Sequence, residues 1–337
     1  MGNPRARTIV RGETFRDRQL ARQSLGPLRQ LLISSTMLSR YREAVHLFEW
    51  YTTTMEGGLS ETEPGLDAQL CRFLDAAWHE GEPRSLVADA ICGVQHALTR
   101  RRIFPGAWRL LSAWDKAELP VRTPPLPALC ALGLSGFLVS EKELGAAALV
   151  AVGFNCFLRT GELLNMRWAH VTWASPDSGV IWLPVTKSGS RGGHTESVIF
   201  SDAVAARLLR WAALGRDPQA KIWEGTPQGF RNFWGRACRA IGLDPGVYKP
   251  YALRRGGASF FMSEGRSIVD CMAIGRWGSI KACKIYAVGG MQLLKTQQLP
   301  PLCAEVCRRF ALLLHQTAYS APGTSRSGRL ALTWAKR

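Results

Sequence analysis

The stretch LPVRTPPLP, residues 119–127, places four prolines in nine positions. Proline fixes φ and removes a backbone donor, so neither a helix nor an inner strand runs through such a segment. The 337-residue chain is therefore expected to fold as two bodies, each with its own core, on either side of a stiff extended connection. The resulting division is a basic flexible arm over 1–30, a helical domain over 31–118, a Pro-rich linker over 119–129, a second domain over 130–316 and a basic tail over 317–337.

Charge separates the two bodies. Residues 1–118 hold 16 Lys and Arg against 14 Asp and Glu, whereas residues 119–337 hold 27 against 12. Almost all of the net charge of +17 thus lies in the second body. An excess of that size predicts a polyanionic partner and supports nucleic acid, although a ribosomal or membrane-surface protein would carry the same balance. Within 43–99 ten acids face only Arg72 and Arg84. Arg100, Arg101 and Arg102 are then the DNA contact to expect in the first body.

Nine scattered cysteines and no leading apolar segment point to free thiols in a reducing, intracellular compartment. Cys303 and Cys307 have helical spacing with no histidine nearby, and read as core rather than as a metal site. The apolar region from Leu126 to Leu158 is cut by Glu141, Lys142 and Glu143 into runs too short for a membrane span, so it predicts buried helices.

In chain order, apolar residues at helical spacing predict four or five helices from Leu31 to about Trp114, broken at 57–65 and 80–85. Helices are expected at about 128–140, 142–156, 202–214, 227–241, 253–264, 268–274 and across PPLCAEVCRRFALLLHQTA. The alternation from Val180 to Phe200 around a Ser/Gly turn predicts a β-hairpin, with Lys187 where its first strand enters the turn. Its TKSGSRGG lacks the order of a nucleotide-binding loop. The fold class is therefore mainly α with a small antiparallel sheet. Thr160 is expected to cap a helix with Glu162 in its first turn, leaving Arg159 in the bend before it. Gly256 and Gly257 would let their helix approach a DNA backbone closely.

Tyr251 to Tyr286 reads YALRRGGASFFMSEGRSIVDCMAIGRWGSIKACKIY and sets Arg254, Trp277 and Tyr286 among further basic residues. Attack on a phosphodiester needs fixed positive charge, an N–H donor and a positioned hydroxyl, and this stretch carries all three. About ninety residues upstream stands FLRTGELLNMRW, 157–168, followed by TKSGSRGG at 186–193. Together these stretches resemble the tyrosine recombinase (phage integrase) family. In that family the catalytic set is an arginine in an R-x-G-E context, a hairpin lysine, an H-x-x-R box, a His or Trp, and a nucleophilic tyrosine.

The resemblance spans roughly residues 120–316. It implies a two-domain architecture, a helical N-terminal (core-binding-like) domain followed by an integrase-like catalytic domain. It further implies a site-specific DNA recombinase that cuts and rejoins DNA through a 3′-phosphotyrosyl intermediate, with no metal and no cofactor. Arg159 and Arg254 would hold the phosphate, Lys187 would protonate the leaving oxygen, Trp277 would donate its indole N–H and Tyr286 would attack. Glu162 would be a structural support. Arg255, Arg276, Lys281 and Lys284 would meet double-stranded DNA. Tyr251 stands where the family has histidine, and a neutral tyrosine can mainly donate, so a slower enzyme is expected.

A homotetramer on DNA and a nuclear location in a eukaryote are further implications, and the GRW-G-S box looks like that of eukaryotic mobile-element recombinases. In many relatives the C-terminal helix docks on a neighbouring protomer; packing on its own domain is the other reading here. Two functional alternatives stand beside the recombinase, namely a catalytically impaired DNA-binding descendant and a type IB topoisomerase-like enzyme.

Overall fold

A computed structural model describes residues 14–25, 27, 32–98, 103–118, 122–186, 189 and 195–320. Arg100, Arg101, Arg102, Lys187, most of the N-terminal arm and the tail from 321 lie outside the described residues. The chain is mainly helical with one three-stranded antiparallel sheet, and separates into two compact units, 1–121 and 122–337.

In the first unit the helices are Phe15–Leu25, Ser35–Glu56, Glu63–His79, Arg84–Ala97 and Pro105–Ala117. The first of these falls inside the expected flexible arm. Its start is set by reciprocal bonds between Thr14 and Asp17, each side chain accepting the other's backbone N–H at 3.2 Å, which offsets two of the unpaired donors at a helix start. Ser34 and Thr62 cap the next two helices, each hydroxyl accepting the backbone N–H three residues on, of Met37 and Gly65. Asp67 reaches across from the third helix to accept the N–H groups of Gly106 and Ala107, at 2.9 Å each, so the fifth helix is capped by a neighbour. Phe48, Leu70, Ile91, Phe104 and Leu111 form the centre of this unit's core.

The second unit is built on the helices Ala128–Ser140 and Leu144–Asn155, which are buried almost all round. The expected linker ends earlier than its sequence suggests. Pro125 to Pro127 are buried, with Leu126 donating to the Ala252 carbonyl and its own carbonyl accepting from Gln292. Strand β2 (Ser178–Leu183) pairs with β3 (Glu196–Phe200) from Gly179 opposite Phe200 to Leu183 opposite Glu196. This is the expected hairpin. A further strand, β1 (Val171–Ser175), pairs antiparallel with β2 on its other edge.

Helices Ala203–Ala212, Pro227–Ala240, Ala252–Ser263 and Ile268–Gly275 lie within two residues of their expected bounds. Two short ones, Ile280–Tyr286 and Gly289–Gln297, were not expected. The last helix, Pro301–Ser320, packs on Ala128–Ser140 of its own unit. Glycines allow that contact: a Cβ on Gly136 would stand 1.9 Å from the Phe310 carbonyl oxygen. Among the described residues no helix is long and apolar enough to cross a membrane.

Candidate active site

The site grows from the end of the helix Leu144–Asn155. There Phe157 takes φ +50°, a left-handed conformation costly for a residue with a side chain. The turn leaves Arg159 extended as the N-cap of Thr160–Asn165, with Glu162 at the third helical position. Arg159, not Thr160, is thus the capping position. Glu162 Oε2 accepts the Arg159 backbone N–H at 2.8 Å, and Oε1 accepts Arg159 Nη1 at 2.6 Å.

The same carboxylate accepts Arg276 Nη2 at 2.6 Å across 114 residues of sequence. Arg276 ends the helix Ile268–Gly275 with φ +55°, a place where glycine is usual. Its Nε lies 3.2 Å from Glu196 Oε2 on β3, and its side chain is 6% exposed. Two buried carboxylates therefore hold this arginine in a strained backbone position. The expected DNA contact at Arg276 gives way to an internal one, because these acids have already desolvated and paired it.

Arg254, on the helix Ala252–Ser263, is 1% exposed. It donates to the carbonyls of Phe157, at 2.5 Å, and Gly275, at 2.6 Å, tying the two strained turns together. Its guanidinium carbon sits 4.5 Å from the Trp277 ring centroid and 5.4 Å from that of Tyr286. Trp277 stacks on Tyr286 at 5.0 Å and on Phe157 at 6.3 Å. The aromatic faces favour the cation, but among the described residues no carboxylate bonds it, Glu162 acting on it only through space. Burial, then the like charges of Arg159 and Arg276, push its pKa down to about 10.

Tyr286 closes the helix Ile280–Tyr286. Ser259 Oγ donates to the Tyr286 carbonyl at 2.8 Å and accepts the Val288 N–H at 3.0 Å, which pins that helix end. Tyr251 lies just before Ala252–Ser263, its ring 6.0 Å from that of Tyr286. Burial, then the Tyr286 hydroxyl, hold the Tyr251 phenol above its ordinary range, with Arg254 and Arg159 opposing. At neutral pH it stays protonated and is a poor proton acceptor.

Arg159, Glu162, Tyr251, Arg254, Trp277 and Tyr286 are thus one contiguous cluster, with Arg276 behind it. Arg255 is 8% exposed, its Nε has no hydrogen-bond partner among the described residues, and burial and Arg122 lower its pKa. Lys281 and Lys284 stand exposed on the helix that ends in Tyr286. Gly256 and Gly257 are not at a surface. Added Cβ atoms would come within 2.3 Å of the Leu126 carbonyl oxygen and 1.9 Å of that of Phe154, so these glycines serve helix packing, not the DNA approach expected of them.

Phe157, Ser259 and Glu196 were missed by sequence reasoning. Glu196 had a signal: in ESVIF it shares a strand face with Val198 and Phe200, both buried. An acid on the core face of a strand requires a buried cation.

No protein-family profile matches the sequence, and no curated protein matches it. Among solved structures, the crystal structure of XerA recombinase aligns at 16% identity with a TM-score of 0.40. The alignment covers 80% of this chain and 93% of that one.

Proposed function

We propose that this chain breaks and rejoins DNA as a tyrosine-recombinase-type enzyme. The observation that carries the reading is Arg254, a buried guanidinium with no carboxylate bonded to it among the described residues, stacked with Trp277 against the tyrosine that the sequence motifs mark as nucleophile. Burying an uncompensated cation is costly, and an arriving phosphate would offset that cost.

In this reading Arg159 and Arg254 bind the non-bridging oxygens of one phosphodiester and stabilise the charge that builds on them. The Tyr286 hydroxyl oxygen bonds to phosphorus and its proton passes to solvent, while the bond from phosphorus to the 5′ oxygen breaks. The 3′-phosphotyrosyl bond so formed keeps the energy needed for rejoining. Lys187, which the sequence places between β2 and β3, would protonate the leaving 5′ oxygen. Glu162 orients Arg159 and, through Arg276, fixes the turn whose Gly275 carbonyl holds Arg254. The reaction as written asks for no cofactor. Duplex DNA is the partner, Arg100, Arg101, Arg102 and Arg255 are further contacts to it, and a homotetramer on two duplexes is the assembly this chemistry fits. A nuclear or other DNA-associated intracellular location goes with it.

The non-cutting reading is favoured by one observation, a protonated Tyr251 where a proton acceptor would assist attack. The deciding experiment incubates the full chain with nicked or gapped duplexes, which trap a cut intermediate, and looks on a denaturing gel for protein-linked DNA. The expected result is an adduct that vanishes in Tyr286→Phe. Binding without an adduct across many sequences would transfer the assignment to the non-cutting binder, and an adduct that survives Tyr286→Phe would overturn the nucleophile.

A further inference from the structure

Cys303 and Cys307 lie four residues apart on the last helix and so share a face. That face meets Cys130 on the helix Ala128–Ser140, and the three sulfur atoms all lie within 4.8 Å of one another. The Cys130 and Cys307 sulfurs are 4.0 Å apart. Three thiolates on one cation at a metal–sulfur distance of about 2.3 Å stand about 3.8 Å apart in tetrahedral geometry and about 4.0 Å apart in trigonal geometry. One edge of that triangle is already in place, and the other two need to contract by no more than about 1 Å to reach it.

The approach is built into the backbone. A Cβ on Gly133, one turn along from Cys130, would stand 2.9 Å from both Cα and Sγ of Cys307. The cysteines are 0%, 3% and 0% exposed in chain order, and no histidine or carboxylate joins the group among the described residues. A disulfide would use two of the three and leave the third idle. A soft cation uses all three.

We propose that Cys130, Cys303 and Cys307 form a three-thiolate site for one thiophilic d10 cation, Cu(I) or Zn(II), which fastens the last helix to Ala128–Ser140. Thiolate sulfur selects such ions, and each sulfur gives up its proton to the medium on binding. Burial away from water suits the trigonal coordination that Cu(I) accepts, whereas Zn(II), for which the described residues offer no fourth donor, would have to bring in a water or anion as its fourth ligand. Cys303 and Cys307 read as core from their spacing alone because the third sulfur lies 173 residues before the first of them.

The test uses the full chain, reduced, stripped of metal by a chelator and kept anaerobic. It is titrated separately with Zn(II) and with Cu(I) held by a competing chelator. The expected result is one equivalent of at least one ion per chain, new thiolate-to-metal absorption in the ultraviolet, and a melting temperature about 5 °C or more higher in excess metal. Which ion binds tighter separates the two sources.

Cys130→Ala and Cys303→Ala should each lose uptake and the melting shift, while Cys271→Ala, at a separate buried thiol, keeps both. No uptake of either ion at micromolar free metal by the unsubstituted chain overturns the proposal. So does uptake that persists in Cys130→Ala or disappears in Cys271→Ala. If either of the first two variants fails to fold, the melting shift between stripped and loaded unsubstituted chain decides, and its absence overturns the site.

Discussion

Two buried arginines, Arg276 and Arg254, lie side by side in this unit and are treated in opposite ways. Arg276 bonds Glu162 and lies against Glu196, so its charge is answered inside the protein. Arg254 bonds two carbonyls and faces two rings, and among the described residues no carboxylate bonds it, so its charge is answered only in part, by Glu162 through space. On the proposed function, the difference separates a residue that holds the fold from one placed to meet an anion. Glu162 makes the arrangement work, because Arg159 and Arg276 occupy its oxygens and leave Arg254 without a bond to it.

The sharpest way to break that comparison is to replace each arginine with methionine, which keeps length and removes charge. Arg254→Met should lower covalent adduct formation by about a thousandfold, roughly 4 kcal/mol of transition-state stabilisation. Its fold should change little in stability, since losing two donors is offset by no longer burying an uncompensated cation. Arg276→Met should do the reverse and destabilise the unit by about 3–5 kcal/mol, because the buried Glu162 and Glu196 carboxylates each lose a cation while Glu162 keeps only Arg159. Single-turnover cleavage and thermal melting on both variants check the pair. A stable Arg276→Met, or an Arg254→Met that cleaves normally, would remove the distinction.

A smaller effect tests the acceptor that the open side of the site lacks. Tyr251→His should speed adduct formation by about tenfold. It should also add a pH dependence, the rate rising as the imidazole loses its proton. Arg159 and Arg254 disfavour the imidazolium, so the midpoint should fall below the ordinary value of about 6.5. The unsubstituted chain should show no such step, since its Tyr251 stays protonated. A pH–rate profile of both proteins decides it, and a slower histidine variant would mean that Tyr251 contributes as a donor.

The same contrast explains what could be read from the residues. The helices of the second unit were legible where apolar spacing and Pro/Gly breaks agree, as at Pro227–Ala240, which opens on Pro227 and is followed by Gly242. Ile280–Tyr286 was not, since seven residues hold too few turns for a pattern. Arg254, Trp277 and Tyr286 could be singled out from their chemistry and spacing. The opposite role of Arg276 could not, because it depends on Glu162 and Glu196, distant acids that only the folded chain brings to it. Local composition reports that an arginine is present; whether its charge is already answered is a tertiary fact.

Lys281 and Lys284 extend the comparison to the surface. Both are exposed, on the short helix that ends in Tyr286, so neither has a buried charge to satisfy, and on the proposed function both are candidates to meet DNA at this site. If each neutralises one phosphate, Lys281→Ala and Lys284→Ala should weaken binding only a few-fold at moderate salt, equally for all sequences. Each should also lower the slope of log affinity against log salt by about one. Arg276→Met, where it remains folded at low temperature, should leave that slope unchanged, because its charge faces carboxylates. Fluorescence anisotropy on one duplex over a salt series reads all three. Equal slopes for the lysine variants and the unsubstituted chain would move the DNA path away from the tyrosine helix, and a reduced slope for Arg276→Met would mean that phosphate displaces Glu162 or Glu196 when DNA binds.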